Sequence, residues 1–129
     1  MGIAAKTEMF AALVAIGFRE IEVGFPAASE TEFRFTRKLI EEELVPAGVS
    51  IQVLTQAREH LITRTVESLA GSRGAIIHLY NSTSELQRRV VFRKDRAAIR
   101  EIAIAGAKCV LAESARAGLE DVRFEYSPE

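Results

Sequence analysis

Apolar side chains along this chain keep two different rhythms, and the switches between them outline its elements. Phe10, Leu13, Val14 and Gly17 fall at i, i+3, i+4 and i+7, one stripe of a helix over residues 4–16 that Gly17 brings to its end. A short strand over 19–24 follows. Ser29-Glu30-Thr31-Glu32 has the form of a capping box, with Ser29 placed to cap and Glu32 to reach back. It opens a helix with apolar positions Phe33, Phe35, Leu39, Ile40 and Leu44, halted by Pro46. Ile51–Leu54 reads as the second strand, and Leu61, Ile62, Thr65, Val66 and Leu69 as the next helical stripe, closed by Gly71. A third strand over 75–80 runs into Asn81-Ser82-Thr83-Ser84, where a Ser or Thr can cap a short helix. Asp95 is placed to cap the longest helix, 96–116, with Ile99, Ile102, Ala103, Gly106, Cys109 and Val110 on one side, and a fourth strand occupies 121–127.

This α-β alternation predicts parallel strands joined by crossover helices. Strands of an open parallel sheet, covered on both faces, read as continuous apolar runs. Here they alternate. On one parity sit Ile21 and Val23, Ile51 and Val53, Ile77 and Leu79, then Val122, Phe124 and Tyr126. On the other sit Glu20 and Glu22, Gln52 and Leu54, Ile76, His78 and Tyr80, then Arg123, Glu125 and Ser127. One face is fit to pack on helices. The other turns polar toward the strand ends, as the inside of a barrel does near its catalytic mouth. Periodicity alone leaves an open sheet with one wetted face as an equal reading. Ligands of α/β proteins bind where strands end, and this chain stops at that layer with Ser127-Pro128-Glu129. The expectation is therefore a segment of an enzyme rather than a whole one.

Composition narrows the class and leaves the function open. A length of 129 residues, 48% hydrophobic and 27% charged, fits one soluble globular domain. A net charge of -1 offers no basic face for nucleic acid. No apolar run approaches the roughly 20 residues that span a bilayer, and no basic segment precedes an apolar core at the start. The single cysteine, Cys109, has no partner for an internal disulfide, which is compatible with a reducing cytoplasm.

Five segments carry a resemblance: Glu20-Ile21-Glu22-Val23-Gly24-Phe25-Pro26, Ile51-Gln52-Val53-Leu54-Thr55-Gln56, Ile77-His78-Leu79-Tyr80-Asn81-Ser82-Thr83-Ser84, Leu86-Gln87-Arg88-Arg89-Val90-Val91-Phe92 and Phe124-Glu125-Tyr126-Ser127-Pro128-Glu129. Together and in order they resemble the 2-isopropylmalate synthases, the longer form most closely, from about Lys6 to Glu129. The family is similar in fold to hydroxymethylglutaryl-CoA lyase, with a TIM-barrel catalytic domain. The resemblance implies an α/β fold and a partial TIM barrel of four parallel β/α units, strands two to five of eight. Residues 1–129 are then a fragment of the catalytic barrel domain, with no regulatory domain. It further implies a Claisen-type condensation of acetyl-CoA with 2-oxoisovalerate and hydrolysis of the thioester, in leucine biosynthesis. The complete enzyme is expected to be a cytoplasmic homodimer that uses a divalent metal (zinc, magnesium or manganese). The Arg-Asp pair and His-x-His motif that supply the family's metal ligands do not occur here, so no tight metal binding is expected of this chain.

Residue by residue, His78 and Glu129 match polar active-site residues of the family that position substrate and handle protons; which of them is the base stays open. Leu54 and Tyr80 match the wall around the oxoacid side chain, Ser127 a polar contact to that substrate, and Glu22 a carboxylate that orients the family's arginine. Without the resemblance, His78 reads as a structural histidine, Tyr80 as a core aromatic with a wet hydroxyl, and Leu54 as ordinary barrel packing. His60, at a helix start with no second ligand nearby, reads as surface, and Cys109 as a small core residue. The basic run Arg88, Arg89, Arg93, Lys94 and Arg96 reads as a solvated loop and helix start rather than a coenzyme A phosphate contact. Homocitrate and citramalate synthases compete within the enzyme class, since oxoacid choice rests on a few pocket residues. A non-catalytic half-barrel that pairs its open sheet edges with a second copy is the alternative of another kind.

Overall fold

Among the described residues four α-helices alternate with four strands: α1 (Ile3–Ile16), β1 (Glu20–Gly24), α2 (Glu30–Glu41), β2 (Ser50–Gln56), α3 (Glu59–Ser68), β3 (Ile76–Asn81), α4 (Arg96–Ala117) and β4 (Arg123–Pro128). The structure, a computed structural model, describes residues 1–92 and 95–129; Arg93 and Lys94 of the basic run lie outside the described residues. The strands form one parallel sheet in the order β1-β2-β3-β4.

The parity read from the sequence decides which face is covered. Ile21, Val23, Ile51, Val53, Ile77 and Leu79 join Phe10 of α1, Phe35 and Leu39 of α2, Ile62 and Val66 of α3 and Val110 of α4 in a single buried cluster. Each such aliphatic side chain, fully withdrawn from water, contributes about 1.5–3 kcal/mol. All four helices therefore lie on one side of the sheet. A doubly wound sheet would need helices on both faces, so the open alternative falls away and the chain is a partial TIM barrel. Phe124 and Tyr126 keep the helix-facing parity but are each 45% exposed, because among the described residues no helix covers β4 as α3 covers β2 and α4 covers β3.

Local signals are mostly met. The Ser29 hydroxyl accepts from the Glu32 N–H at 3.2 Å, Asp95 accepts from Ala98 N–H at 2.8 Å, and Ser84 accepts from Gln87 N–H at 3.1 Å ahead of a π-helical turn over Gln87–Phe92. Gly17 and Gly118 close α1 and α4 in left-handed conformations. Two expectations are corrected. Glu32 does not reach back to Ser29; its carboxylate turns inward to the Lys6 ammonium of α1, a stronger partner than a neutral backbone N–H. Nor does Pro46 halt α2. The helix ends at Glu41 in a Schellman turn, with Leu44 N–H donating to Leu39 O at 2.9 Å and Glu43 at φ 53°. Among the described residues no helix is long and apolar enough to cross a membrane.

Candidate active site

Strand register arranges the helix-free face in rows. Glu22, Gln52, Ile76 and Arg123 form one row, Leu54, His78 and Glu125 the next, and Gln56, Tyr80 and Ser127 the row nearest the C-terminal strand ends. Across these rows runs a diagonal of hydrogen bonds. His78 Nδ1 lies 2.8 Å from Glu22 Oε2, and His78 Nε2 lies 2.7 Å from Ser127 Oγ. The diagonal climbs from β1 through β3 to β4, as expected where tilted, staggered strands bring different registers to one height.

The chemistry of the partners fixes the protons. A carboxylate only accepts, so Nδ1 carries the hydrogen and donates to Glu22. In the neutral ring Nε2 then keeps its lone pair and accepts from the Ser127 hydroxyl. The His78 side chain is 14% exposed, and Glu125 Oε1 stands 3.7 Å from Nε2. The ring thus offers one nitrogen lone pair toward Ser127 and the C-terminal end of β4. A second donor, Gln52 Nε2, binds the same Glu22 oxygen at 2.7 Å.

Other predicted residues are placed as follows. Leu54 and Tyr80 are half-buried on the same face, and the Tyr80 ring meets Phe25 edge to face at 6.5 Å between centroids. Glu129 carries on the β4 parity, its N–H bonded to Asn81 O at 2.9 Å, but its exposed side chain is not among the hydrogen-bonded partners of His78. The structure brings His78, Ser127 and Glu22 into one network and leaves Glu129 outside it. His60 is exposed, as expected, whereas Cys109, read as a core residue, is only half-buried and packs against the edge of the core. Arg88, Arg89 and Arg96 of the basic run do not join the His78 network; Arg88 donates to Thr83 O, and Arg89 pairs with Glu85 at 2.6 Å. A groove of about 550 Å³ beside Arg88, Arg96, Arg100 and Tyr126 involves the helix-facing parity of β4, not the His78 face.

Gln52, Phe25 and Glu125 stand in or beside this network without having been singled out from the sequence. Parity alone put Gln52 and Glu125 on the polar face; the Phe25 contact depends on the turn after β1. That turn is held from behind. Gly24 has φ 144°, a backbone conformation that side chains with a Cβ rarely adopt, and a Cβ there would also push the Glu32 carboxylate from its place beside Lys6.

The side chains present do not suit a divalent cation. Both nitrogens of His78 are already engaged by Glu22 and Ser127, and among the described residues no group of three His, Cys, Asp or Glu side chains is placed to hold one ion, the usual minimum for catalytic zinc.

Residues 1–129 match the HMGL-like family. The chain is similar to curated proteins named 2-isopropylmalate synthase: 57% identical over 131 residues to one from Clostridium acetobutylicum, 60% over 129 to one from Helicobacter hepaticus, and 62% over 126 to one from a Parafrankia species. These alignments cover 100%, 100% and 96% of the chain, which spans 24%, 23% and 22% of the lengths of those relatives.

Proposed function

The chain belongs to the HMGL-like family, and on that premise we propose that it is a catalytic-barrel segment, strands two to five, of a 2-isopropylmalate synthase. The proposed reaction joins the methyl carbon of acetyl-CoA to the keto carbon of 2-oxoisovalerate and then hydrolyses the thioester, releasing coenzyme A. The observation that carries this reading is the Glu22–His78–Ser127 diagonal, which rises across the helix-free face of a parallel half-barrel toward its strand ends. His78 Nε2 is the atom suited to take or return a proton, since Glu22 favours the tautomer that leaves it unprotonated. Ser127 hands its hydrogen bond to the oxoacid when substrate arrives. Leu54 and Tyr80, backed by Phe25, wall the branched side chain, where one methylene is worth about 1–3 kcal/mol of discrimination. Glu129, next along the β4 parity, is the second candidate for proton handling.

No step is assigned to a divalent cation, because the described residues form no set that would hold one. The resemblance gives that cation to segments that these motifs do not include. On its own the chain is expected to be inactive; the complete enzyme is proposed to be a cytoplasmic homodimer. The test is a graft: this chain replaces the matching segment of the Clostridium acetobutylicum relative, and release of free thiol is followed with acetyl-CoA and 2-oxoisovalerate. Turnover that drops about 10²–10⁴-fold in His78→Ala supports the reading. A folded graft that is inactive with 2-oxoisovalerate but active with 2-oxoglutarate or pyruvate moves it to homocitrate or citramalate synthesis. Inactivity with all three overturns it.

A further inference from the structure

The carboxylate of Glu22 sits on an unbranched, flexible stem, and its side chain is 39% exposed. Left to itself such a group spends much of its time in water rather than against one ring nitrogen. Its neighbour on the sheet face changes that. Gln52 lies between Glu22 and Ile76 in one register row, so its Cα is fixed by ladders on both sides. Its Nε2 is 2.7 Å from Glu22 Oε2, the same oxygen that His78 Nδ1 reaches at 2.8 Å. Gln52 Nε2 and His78 Nδ1 are 3.4 Å apart. With Nδ1 protonated both are donors, so this spacing reflects two donors converging on one acceptor rather than a bond between them. Glu20, the other acidic side chain of β1, is occupied by Arg123 at 3.3 Å and does not compete for Gln52.

We propose that Gln52 is a positioning residue of this site: its amide clamps Glu22 against His78 Nδ1 and so keeps the Nε2 lone pair turned toward Ser127 and substrate. The proposal rests on the reading of His78 as the proton-handling group, and it assigns Gln52 no contact with substrate. It calls for an amide of this length. Methionine has the reach but no donor, and asparagine has the donor but falls short by one methylene.

The test is ¹⁵N spectroscopy of the chain with labelled histidine, reading the His78 tautomer in the wild type, Glu22→Gln, Gln52→Met and Gln52→Asn, with amide spectra to check the fold. The wild type should hold the Nδ1–H form. Both Gln52 variants should move the ratio toward Nε2–H by about tenfold, the change expected for losing one charge-assisted hydrogen bond. Either Gln52 variant, folded and with an unchanged ratio, overturns the proposal. If Glu22→Gln itself leaves the ratio unchanged, the Glu22–His78 premise fails instead, and the proposal with it.

Discussion

His78 Nδ1 meets Glu22 Oε2 at 2.8 Å across 56 positions of sequence, and this contact orients the imidazole on the helix-free face of β3. The opposite nitrogen is thereby committed as an acceptor, and Ser127 Oγ already occupies it at 2.7 Å. The two bonds make His78 a directional group rather than a solvated side chain.

Removing Ser127 should leave that acceptor without a donor and the substrate without its polar anchor. In the grafted enzyme, Ser127→Ala is expected to lower kcat/KM by about ten- to a hundredfold, the size of one lost hydrogen bond at a partly buried group. Steady-state kinetics over a range of 2-oxoisovalerate concentrations measures it; a rise in KM with constant kcat would mark Ser127 as a binding contact only.

The isolated chain should bind zinc no more tightly than a surface histidine does. Titration calorimetry and melting curves with and without a chelator are expected to superimpose. A stoichiometric sub-micromolar site lost in His78→Ala would show that the ring nitrogens exchange their present partners for a metal.

Gly106 lets α4 approach the end of β2. A Cβ there would lie 2.9 Å from Ala57 Cβ and 3.4 Å from the Leu79 side chain. Gly106→Ala gains about 1 kcal/mol of helix propensity and loses about 1–3 kcal/mol to overpacking, so a net loss of about 1 kcal/mol is expected. A lower urea midpoint at constant slope would register it.

Glu43 occupies the left-handed position of the α2 Schellman turn at φ 53°. Glu43→Gly should raise stability by about 0.5–1 kcal/mol by removing the Cβ strain, less the extra entropy of glycine when unfolded. Thermal melting should move upward by a few degrees; a downward shift would mean that the Glu43 side chain itself matters.

Cys109 is held above its ordinary thiol pKa by burial first, then by Glu113 and Glu59, with Arg116 opposing. Its contribution to stability is fully present below the pKa of the unfolded thiol and is lost as pH rises through the higher folded value. Iodoacetamide should therefore label it slowly near neutral pH, with a midpoint above that of a free thiol. Cys109→Ser should flatten the loss of stability on the alkaline side.

Much of the fold was legible because its signals are local. Ser29 and Asp95 cap, and Gly17 ends α1, through contacts spanning only a few residues. Where a distant group outbid a local one, the reading failed. Lys6 of α1 drew Glu32 away from its capping role. The end of α2 was set by a left-handed glutamate before the chain reached Pro46, a conformation that few sequence patterns announce for a non-glycine residue.

The sequence by itself determined the order of elements, the parity of each strand and therefore which side chains could share the helix-free face, because periods of 3.6 and 2.0 are properties of the backbone. It also carried the family in its motifs. Only the tertiary structure decided which of those side chains touch. Parity places Glu22, Gln52, His78, Glu125 and Ser127 on one face, but strand order, register and stagger choose the diagonal that joins three of them and leaves Glu129 apart. Arg123 reaching Glu20 across 103 positions is set in the same way. Such contacts depend on how neighbouring strands are aligned, and no local period encodes that alignment.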